Sequence, residues 1–497
     1  MRKRLICLTV ILSLFVIFTR TSYAAELRRP ISPEQPMWLI HIDTWNYPDP
    51  ERIIELIPDD ILPYCVFNIS LSASDNVCIS GPNVCDSWLK ACAAKNVWCT
   101  VQCASGGHSR FSDFDLTYYE RYFNEYPNFI GWNFAEQFWG FGEDGTPTFP
   151  ERLALFGEIL KICNRYGGYL IVSFTQAEYS ADMMPIAYMK RNAIVNEQLT
   201  NHPENFICCE KYTMKRGFFE IESNCLGAYL GGYAGQYGIR FDQCGWATSD
   251  EDAEPFVTAS GAIPIMEHVM LTGETVIDGP ELIWQQDTKE TNRINTTDGY
   301  SRRNWDFFSQ FVNINIDEFR KILDGTVRIL SREEVIDRTK ICVINDLNNG
   351  NFDDYTSPQS MFHGLYRQDY DGTVDNPIAT NIWWMKKTGR YPTFPQVYGL
   401  LDETAQKLIG VKKSEYSKRW PTIDAKVAEF NKLFPQEYTG DIYAAHAENT
   451  WMTYNPYQYE HTNGTVHTSA KEQKVIYLSY IIHRKVSLLI MLRIQWL

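Results

Sequence analysis

The sequence predicts a (β/α)8 TIM barrel followed by a smaller β-rich C-terminal domain. From Met37 onward, short apolar runs alternate with longer amphipathic stretches. Several runs are almost continuously apolar, which is typical of parallel strands that are buried on both faces. Eight strand-helix units fit between Met37 and Gly325, and this length and rhythm favour an eight-stranded barrel.

The eight predicted strands are short, and most are separated by segments long enough for a helix. They are MWLIHID (37–43), LPYCVFNIS (62–70), VWCTVQC (97–103), FIGWNFAE (129–136), YLIVSFT (169–175), NFICCEKYT (205–213), GIRFDQC (238–244) and TVIDGPE (275–281).

Helices are predicted between these strands. The segment FPERLALFGEILKICNRYG (149–167) is amphipathic and ends on glycine, a common helix stop signal. The last helix of the barrel is predicted over NWDFFSQFVNINIDEFRKILDG (304–325). We therefore assign residues 25–325 to the barrel domain.

Residues 326–497 are predicted to form the second domain, because Tyr, Trp, Asn and Pro become denser after Gly325. The final stretch, KVIYLSYIIHRKVSLLIMLRIQWL, is basic and apolar, unlike the preceding residues. We interpret it as a truncated or aberrant end. Because His483, Arg484 and Lys485 interrupt it, we predict no membrane span in the mature chain.

The N-terminus has the pattern of a secretory signal peptide. MRKR is followed by the apolar run LICLTVILSLFVIF and by the small-x-small site Ser22-Tyr23-Ala24. Residues 1–24 are therefore predicted to be removed, and the mature chain is expected to be secreted, periplasmic or at the cell surface.

Composition narrows the class of partner. The net charge of −15 provides no basic patch to neutralise phosphates, which argues against nucleic acid. Aromatic residues make up 14% of the chain, and tryptophan and tyrosine stack well on the apolar faces of sugar rings. These features favour a monomer that binds an oligosaccharide or polysaccharide.

The 13 cysteines do not sit at the spacings of a disulfide framework. We expect mostly buried thiols, with a disulfide or two among Cys78, Cys85 and Cys92. No C-x2-C pair and no H-E-x-x-H motif occurs, so no metal site and no cofactor are predicted.

Polar residues at the carboxyl ends of barrel strands face the active site. In this sequence many of them are carboxylates: Glu136, Glu210, Asp242, Asp278 and Glu281. There is no G-x-S-x-G, no Cys-His signature and no glycine-rich phosphate loop. Carboxylates without a metal motif favour glycoside hydrolysis, in which one acid protonates the leaving oxygen and another activates water or attacks.

Glu136 is the candidate general acid. It lies in FIGWNFAEQFWG, where Trp132, Phe134, Phe138 and Trp139 are expected to surround it with apolar surface. Such burial would raise the pKa of the carboxyl, as a general acid near neutral pH requires. In the alternative interpretation, Glu136 caps a loop or pairs with an arginine.

Asp242 and Glu281 are the candidate bases, because the seventh and eighth strands lie across the barrel mouth from the fourth. Glu290 is the rival base. In the structural alternatives, Asp242 pairs with nearby Arg240 at the rim and Asp278 is a turn residue.

A further set of residues is predicted to bind substrate or hold the rim, although a lone histidine such as His108 is more often structural. The set comprises His41, Asp43, Trp45, Asn68, His108, Trp132 and Lys211.

The chain resembles glycoside hydrolase family 98 over most of its length. The resemblance rests on WLIHIDTWNYPDPERIIELIPDDILPYCVFNISLSAS, FIGWNFAEQFWGF, IRFDQCGW and VRILSREEVIDRTKICVIND. It implies endo-acting, inverting, metal-independent hydrolysis by a barrel with a β-rich C-terminal domain. By motif, Glu136 matches the family's acid and Asp242 the aspartate of its base pair. Glu281 is assigned as the glutamate of that pair from its place at a strand end.

Members of this family release blood-group oligosaccharides at Galβ1,4-GlcNAc linkages, and one branch acts on xylan. The resemblance therefore implies an endo-β-1,4-galactosidase, with an endo-β-1,4-xylanase as the alternative. A hypothesis of a different class is a secreted glycan-binding protein without turnover. The presence of all three candidate carboxylates favours the enzyme.

Overall fold

The protein is described by a computed structural model of the 497-residue chain. The described residues are 24–43, 49–71, 81–105, 116–137, 147–174, 185–211, 218–240, 272–278, 293–295, 301–303, 316–325, 328–346, 361, 365, 394–397, 405–434, 443–447, 450–454, 460–462, 465–467 and 478–481.

Eight parallel strands close into a barrel in chain order, which confirms the predicted fold. Closure occurs between the first and last strands, where Met37 pairs with Val276 and Leu39 pairs with Asp278. The strands are β1 (Met37–Asp43), β2 (Cys65–Ser70), β3 (Trp98–Ser105), β4 (Phe129–Gln137), β5 (Tyr169–Phe174), β6 (Phe206–Lys211), β7 (Gln236–Arg240) and β8 (Val276–Asp278).

Helices connect most of these strands within the described residues. They are α1 (Pro50–Glu55), α2 (Gly81–Lys95), α3 (Leu116–Glu125), α4 (Phe149–Tyr166), α5 (Pro185–Met189), α6 (Ala193–Asn201), α7 (Phe218–Leu230) and α8 (Ile316–Leu323). In α4, Thr148 and Glu151 form a capping box at the start, and Gly167 ends the helix at φ 69°. Of the last predicted helix, residues 316–323 are helical and residues 304–315 lie outside the described part.

The side chains of each strand point alternately outward and inward, into two separate apolar layers. Outward side chains such as Trp38, Phe67 and Val172 join the core that packs against the helices. Inward side chains such as Leu39 and Ile171 form a separate cluster in the lumen. Both faces of each strand are therefore buried, which explains why the sequence runs look continuously apolar.

An N-terminal segment seals the amino-terminal end of the barrel. Arg28 donates to the backbone oxygens of Phe123 and Phe129, and Arg29 donates to those of Pro36 and Tyr64. Burial lowers the pKa of Arg29 to about 10. Because this end is closed, substrate access is expected at the opposite, carboxyl end of the strands.

The region after Gly325 contains helices as well as strands in its described part. The helices are α9 (Arg332–Thr339), α10 (Tyr416–Arg419) and α11 (Ile423–Leu433). The strands here are β11 (Ile341–Ile344), β12 (Gln396–Val397), β13 (Ile409–Lys412), β14 (Tyr443–Ala447), β15 (Thr450–Tyr454), β16 (Glu460–Thr462), β17 (Thr465–His467) and β18 (Leu478–Ile481), while β9 (Arg293–Asn295) and β10 (Ser301–Arg303) form a hairpin before α8.

The C-terminal region packs directly on α7 of the barrel. The Ser223 hydroxyl donates to the Phe394 carbonyl, and Arg332 donates to the Tyr229 carbonyl at 3.2 Å. A Cβ atom added at Gly227 would lie 1.8 Å from the Gln396 carbonyl oxygen. This closeness requires glycine at position 227.

All cysteines in the described part of the chain are buried, and none of them forms a disulfide. The predicted disulfide among Cys78, Cys85 and Cys92 is therefore wrong, because both Cys85 and Cys92 are free thiols. Cys78 itself lies outside the described residues. Among the helices of the described ranges, none is long and apolar enough to cross a membrane.

Candidate active site

A polar layer occupies the lumen near the carboxyl ends of the strands, above the apolar layer. Its side chains come from six different strands, and all are buried: His41, Asn68, Gln102, Asn133, Arg240 and Asp278. His41, Asn68 and Asp278 each come two residues after an apolar lumen residue of the same strand, because every second side chain of a strand points to the same face.

Arg240 and Asp278 form an ion pair inside this layer. Nη1 of Arg240 lies 3.1 Å from Oδ2 of Asp278, and the two side chains are 3% and 0% exposed. The same Nη1 donates to Oε1 of Gln102 at 2.6 Å. Such a pair offsets the large cost of removing both charges from water. Arg240 thus pairs with Asp278 on the neighbouring strand, and Asp278 is a lumen residue rather than a turn residue. The alternative pairing of Arg240 with Asp242 involves a residue outside the described ranges.

Asn133 joins the pair from the far side of the barrel. Its Nδ2 donates to Oδ2 of Asp278 at 3.0 Å. In a closed barrel of eight strands, β4 and β8 are diametrically opposite, so this hydrogen bond spans the lumen. Because one partner is charged, it belongs to the stronger class of hydrogen bond.

The hydrogen bonds around His41 define its tautomer. Nδ1 of His41 lies 3.4 Å from Nδ2 of Asn68 and 3.3 Å from Nη2 of Arg240. The Asn68 amide is oriented by the Thr100 hydroxyl, which donates to Oδ1 at 3.0 Å. Both contacts come from donors, so Nδ1 is the acceptor in each and the ring proton lies on Nε2.

Glu136 lies at the carboxyl end of β4 and is partly buried. Its φ of 50° is in the left-handed region, which costs a non-glycine residue about 1 kcal/mol or more. The pairing of β4 with β5 also shifts register between Phe134 and Gln137. Irregularities of this kind redirect side chains, and they are common beside active sites.

The rings of Trp132 and Phe134 do not surround Glu136 at the barrel mouth. Trp132 is fully buried on the outer face of β4, where its Nε1 donates to the Tyr119 carbonyl oxygen at 3.1 Å. Phe134 packs on Phe156 of α4. The prediction that Trp132 binds substrate, and that these two rings shield the acid, is therefore wrong: their alternate positions on the strand point toward the helices.

Glu210 also faces outward, contrary to its interpretation as a residue of the site. It follows Cys208 on the outer face of β6 and lies near Glu222 of α7 and near Glu274. Burial, followed by repulsion from Glu274 and Glu222, raises the pKa of Glu210 well above its usual value. This carboxyl belongs to the interface between barrel and helix.

The remaining predicted site residues divide into two groups. Asp43 and Lys211 are the last residues of β1 and β6, so their backbones reach the carboxyl end of the barrel. Trp45, His108, Asp242, Glu281 and the rival base Glu290 lie outside the described residues. No group of three or more His, Cys, Asp or Glu side chains in the described ranges could hold a metal ion.

Gln102, Asn133 and Arg240 are residues of the polar layer that the sequence analysis did not assign to the site, whereas Asp278 was among its strand-end carboxylates. A signal for them exists in the sequence: each is a polar residue within or at the end of an apolar strand run. A polar group buried in such a run needs a hydrogen-bond partner. Several polar residues in neighbouring runs therefore indicate that they bond to one another inside the barrel.

The comparison with protein families decides the family. Residues 25–328 match the family model described as glycosyl hydrolase family 98, and residues 332–488 match the model of that family's C-terminal domain. The chain belongs to glycosyl hydrolase family 98.

Relatives of this family 98 chain include a curated protein and several solved structures. The blood-group-substance endo-1,4-beta-galactosidase of Clostridium perfringens is 24% identical over 476 residues. That match covers 88% of this chain and 55% of the relative, so the chain spans about half the length of the curated protein.

The catalytic module of a family 98 glycoside hydrolase from Streptococcus pneumoniae TIGR4 shares the fold. In complex with the H-disaccharide blood group antigen it superposes with a TM-score of 0.62 and 18% identity, covering 87% of this chain and 74% of the module. In complex with the LewisY pentasaccharide, the TM-score is 0.61 at 17% identity, with the same coverage.

Proposed function

We propose that this family 98 chain is a secreted, inverting endo-β-1,4-galactosidase that releases blood-group-type oligosaccharides by hydrolysing Galβ1,4-GlcNAc linkages. The observation that carries the proposal is Glu136, a partly buried carboxyl on a strained strand end at the open mouth of the barrel. The name of the curated relative supports the choice of substrate.

Glu136 is the proton donor of the proposed reaction. Its proton passes to the glycosidic oxygen as the bond from that oxygen to the anomeric carbon breaks. Water attacks the same carbon from the opposite face and gives its proton to the base pair Asp242 and Glu281. One displacement of this kind inverts the anomeric configuration.

The strand order supports the division into an acid and a distant base pair. β7 and β8 are neighbouring strands, so the two segments that lead to Asp242 and Glu281 start next to each other at the end of the barrel. Glu136 belongs to β4, which is opposite β8. An inverting enzyme needs a separation of roughly 6.5–9.5 Å between acid and base to hold the water.

His41 is the proposed donor to a sugar oxygen. Its Nδ1 lies 3.4 Å from Nδ2 of Asn68 and 3.3 Å from Nη2 of Arg240, and these contacts hold the ring in one direction. Asn68 then contributes by orienting the ring. Galactose differs from xylose in its axial O4 and its exocyclic CH2OH, so a donor fixed in direction favours one sugar over the other.

The substrate is tested by incubating the purified full chain with three classes of glycan: blood-group A and B oligosaccharides, asialo-mucin and glucuronoarabinoxylan. We expect oligosaccharide release from the blood-group or mucin substrates only. Release from the xylan alone would establish the xylanase instead. Binding without release from any substrate would establish a glycan-binding protein.

The stereochemistry is tested by proton NMR of the first products, before mutarotation. Inversion at the anomeric carbon is expected. Retention would contradict the assignment of Asp242 and Glu281 as a base pair, because a retaining enzyme uses its second carboxylate as a nucleophile.

Export is proposed from residues 1–24, whose pattern is that of a signal peptide. N-terminal sequencing of the protein released by its native host, or by an expression host with a general secretion pathway, is expected to begin near Ala25. An intact Met1 on the protein in the cytoplasmic fraction alone would overturn this proposal.

A further inference from the structure

Two hydrogen-bonded crossings span the lumen of the barrel. Asn133 on β4 donates to Asp278 on the opposite strand β8 at 3.0 Å. Arg240 on β7 donates to Gln102 on the opposite strand β3 at 2.6 Å. The two crossings are joined, because Arg240 also contacts Asp278 at 3.1 Å. We call Asn133, Arg240, Asp278 and Gln102 the lumen crosslink.

Three of the strands in the lumen crosslink are those that lead to the proposed catalytic carboxylates. Glu136 comes three residues after Asn133 in the sequence. Asp242 comes two residues after Arg240, and Glu281 three residues after Asp278. A strand rises about 3.3 Å per residue, so Asn133, Arg240 and Asp278 each lie within about 10 Å of chain from the carboxylate that follows them.

We propose that Asn133, Arg240 and Asp278 are positioning residues that set the distance between the acid and the base pair. The inference rests on the proposed function, because it assigns the crosslink to the spacing that an inverting reaction needs. The three side chains are buried, so water does not compete for their hydrogen bonds. Each strand is thereby held at a fixed separation from the others just below the site.

The composition of the lumen argues against a purely structural role. The layer below the crosslink is filled by apolar side chains, among them Leu39, Val66, Ile130, Ile171 and Val276. Apolar residues therefore pack this barrel, and replacing a buried ion pair by apolar groups is often neutral or stabilising. The pair of Arg240 and Asp278 lies at the carboxyl end of the lumen, where it can define the geometry of the site.

The experiment compares Asn133→Ala with Asn205→Ala in the full-length enzyme. Both asparagines are almost completely buried. Asn205 donates to the Gly168 carbonyl oxygen at 2.8 Å, just before β5 and β6 begin and so at the amino-terminal end of the barrel. The control therefore removes the same side chain and a buried hydrogen bond, here to a neutral carbonyl oxygen, far from the site. Turnover of the substrate and thermal unfolding are measured for both.

We expect Asn133→Ala to lower kcat by about 10- to 100-fold with KM changed by less than about threefold, because a small misplacement of reacting groups has effects of this size. Asn205→Ala is expected to lower Tm by a similar amount and leave kcat unchanged. Equal losses of kcat in the two variants, or full kcat in Asn133→Ala, would overturn the positioning role.

Asn133→Asp provides a second test, which is the pH dependence of kcat/KM. If residue 133 only filled space, this substitution would not change that dependence. The new carboxyl can donate to Asp278 only when it is protonated. The titratable groups nearby are Arg240 and Asp278, then His41 next to Arg240 and Cys209 near Asp278. We expect kcat/KM of this variant to approach the wild-type value at low pH and to fall more steeply as pH rises. A pH profile of kcat/KM that has the same shape as that of the wild type and is lower by the same factor at every pH would contradict the inference.

The wild-type enzyme in the same assay separates the two proposals. Wild-type turnover with an unaffected Asn133→Ala overturns the positioning role and leaves the proposed function standing. Absence of wild-type turnover on every glycan of the panel overturns the proposed function, and the positioning role falls with it.

Discussion

Arg240 and Asp278 form an oppositely charged pair in the lumen, 3.1 Å apart and almost completely shielded from solvent. Neither charge has a bulk-water shell, so each depends on the other for its stability in the folded state. The pair therefore links the stability of the barrel to the polar layer beneath the site.

Asp278→Ala is predicted to lower the free energy of unfolding by about 3–5 kcal/mol, because it removes the carboxylate that lies 3.1 Å from the buried guanidinium of Arg240. Urea denaturation at pH 7 measures this loss. The control is Asp60→Ala, which removes the exposed pair between Asp60 and Arg320. That change is predicted to lower the free energy of unfolding by less than about 1 kcal/mol. Similar values for the two variants would mean that the buried pair contributes no more than a surface pair.

Glu136→Gln is predicted to lower kcat by at least about a hundredfold, which is the scale of general acid catalysis, and to leave substrate binding intact. Glutamine keeps the size of the side chain, but its amide cannot act as the acid that donates a proton to the leaving group. Initial rates and calorimetric titration with an uncleaved glycan measure the two effects. Full activity of the variant would exclude Glu136 as the acid.

Trp132→Phe is predicted to lower stability and leave KM for the glycan unchanged. The indole stacks with Tyr122 at 5.5 Å between ring centroids and donates to the Tyr119 carbonyl oxygen, both on α3. The loss of that hydrogen bond is expected to lower the free energy of unfolding by about 1–3 kcal/mol, since the carbonyl is left buried. A raised KM with unchanged stability would place the indole in the site instead.

The pKa of Glu210, raised by burial and by its neighbours Glu274 and Glu222, predicts a specific dependence of stability on pH. The folded state holds the proton to higher pH than the unfolded state, whose carboxyl has a pKa near 4.5. The favourable contribution is therefore complete below pH 4.5 and is lost as pH rises toward the folded-state pKa.

Glu210→Gln removes this titration and is predicted to become more stable relative to the wild type as pH rises from 5 to 8. Urea denaturation at several pH values measures the difference. Exposed Glu197 on α6 provides the control, and Glu197→Gln is expected to show no such trend. A constant difference between Glu210→Gln and the wild type would show that Glu210 binds no extra proton on folding.

Gly227→Ala is predicted to destabilise the protein, although alanine is the better helix former by about 1 kcal/mol. The added Cβ would lie 1.8 Å from the Gln396 carbonyl oxygen, so β12 must move away from α7. A lower Tm is expected because the contact between the barrel and the C-terminal region is lost. A higher Tm would follow from helix propensity alone and would show that β12 does not lie on α7.

Much of the barrel is predictable from local pattern. The run MWLIHID predicts the first strand to its last residue, and the run FIGWNFAE predicts the fourth strand to within one residue. The helix at 149–166 follows from its amphipathic pattern and from the glycine after it. Such features depend on neighbours in the sequence, so the sequence contains them directly.

The face on which each side chain lies is not predictable in this way. In FIGWNFAE apolar residues occupy both faces, so alternation places Trp132 opposite Asn133 without showing which of them is inside the barrel. The structure places Asn133 in the lumen and Trp132 against α3. Trp132 and Phe134 are therefore poor evidence for the surroundings of the Glu136 carboxyl, while Phe138 and Trp139 lie outside the described residues.

The sequence by itself determined the succession of strands and helices, the family and the position of Glu136 at the end of the fourth strand, because local patterns and motifs carry that information. The tertiary structure alone decided that Asp278 binds Arg240 on the neighbouring strand and Asn133 across the lumen, and that Glu210 faces a helix. These contacts join residues as many as 145 positions apart, and closure of the barrel brings them together.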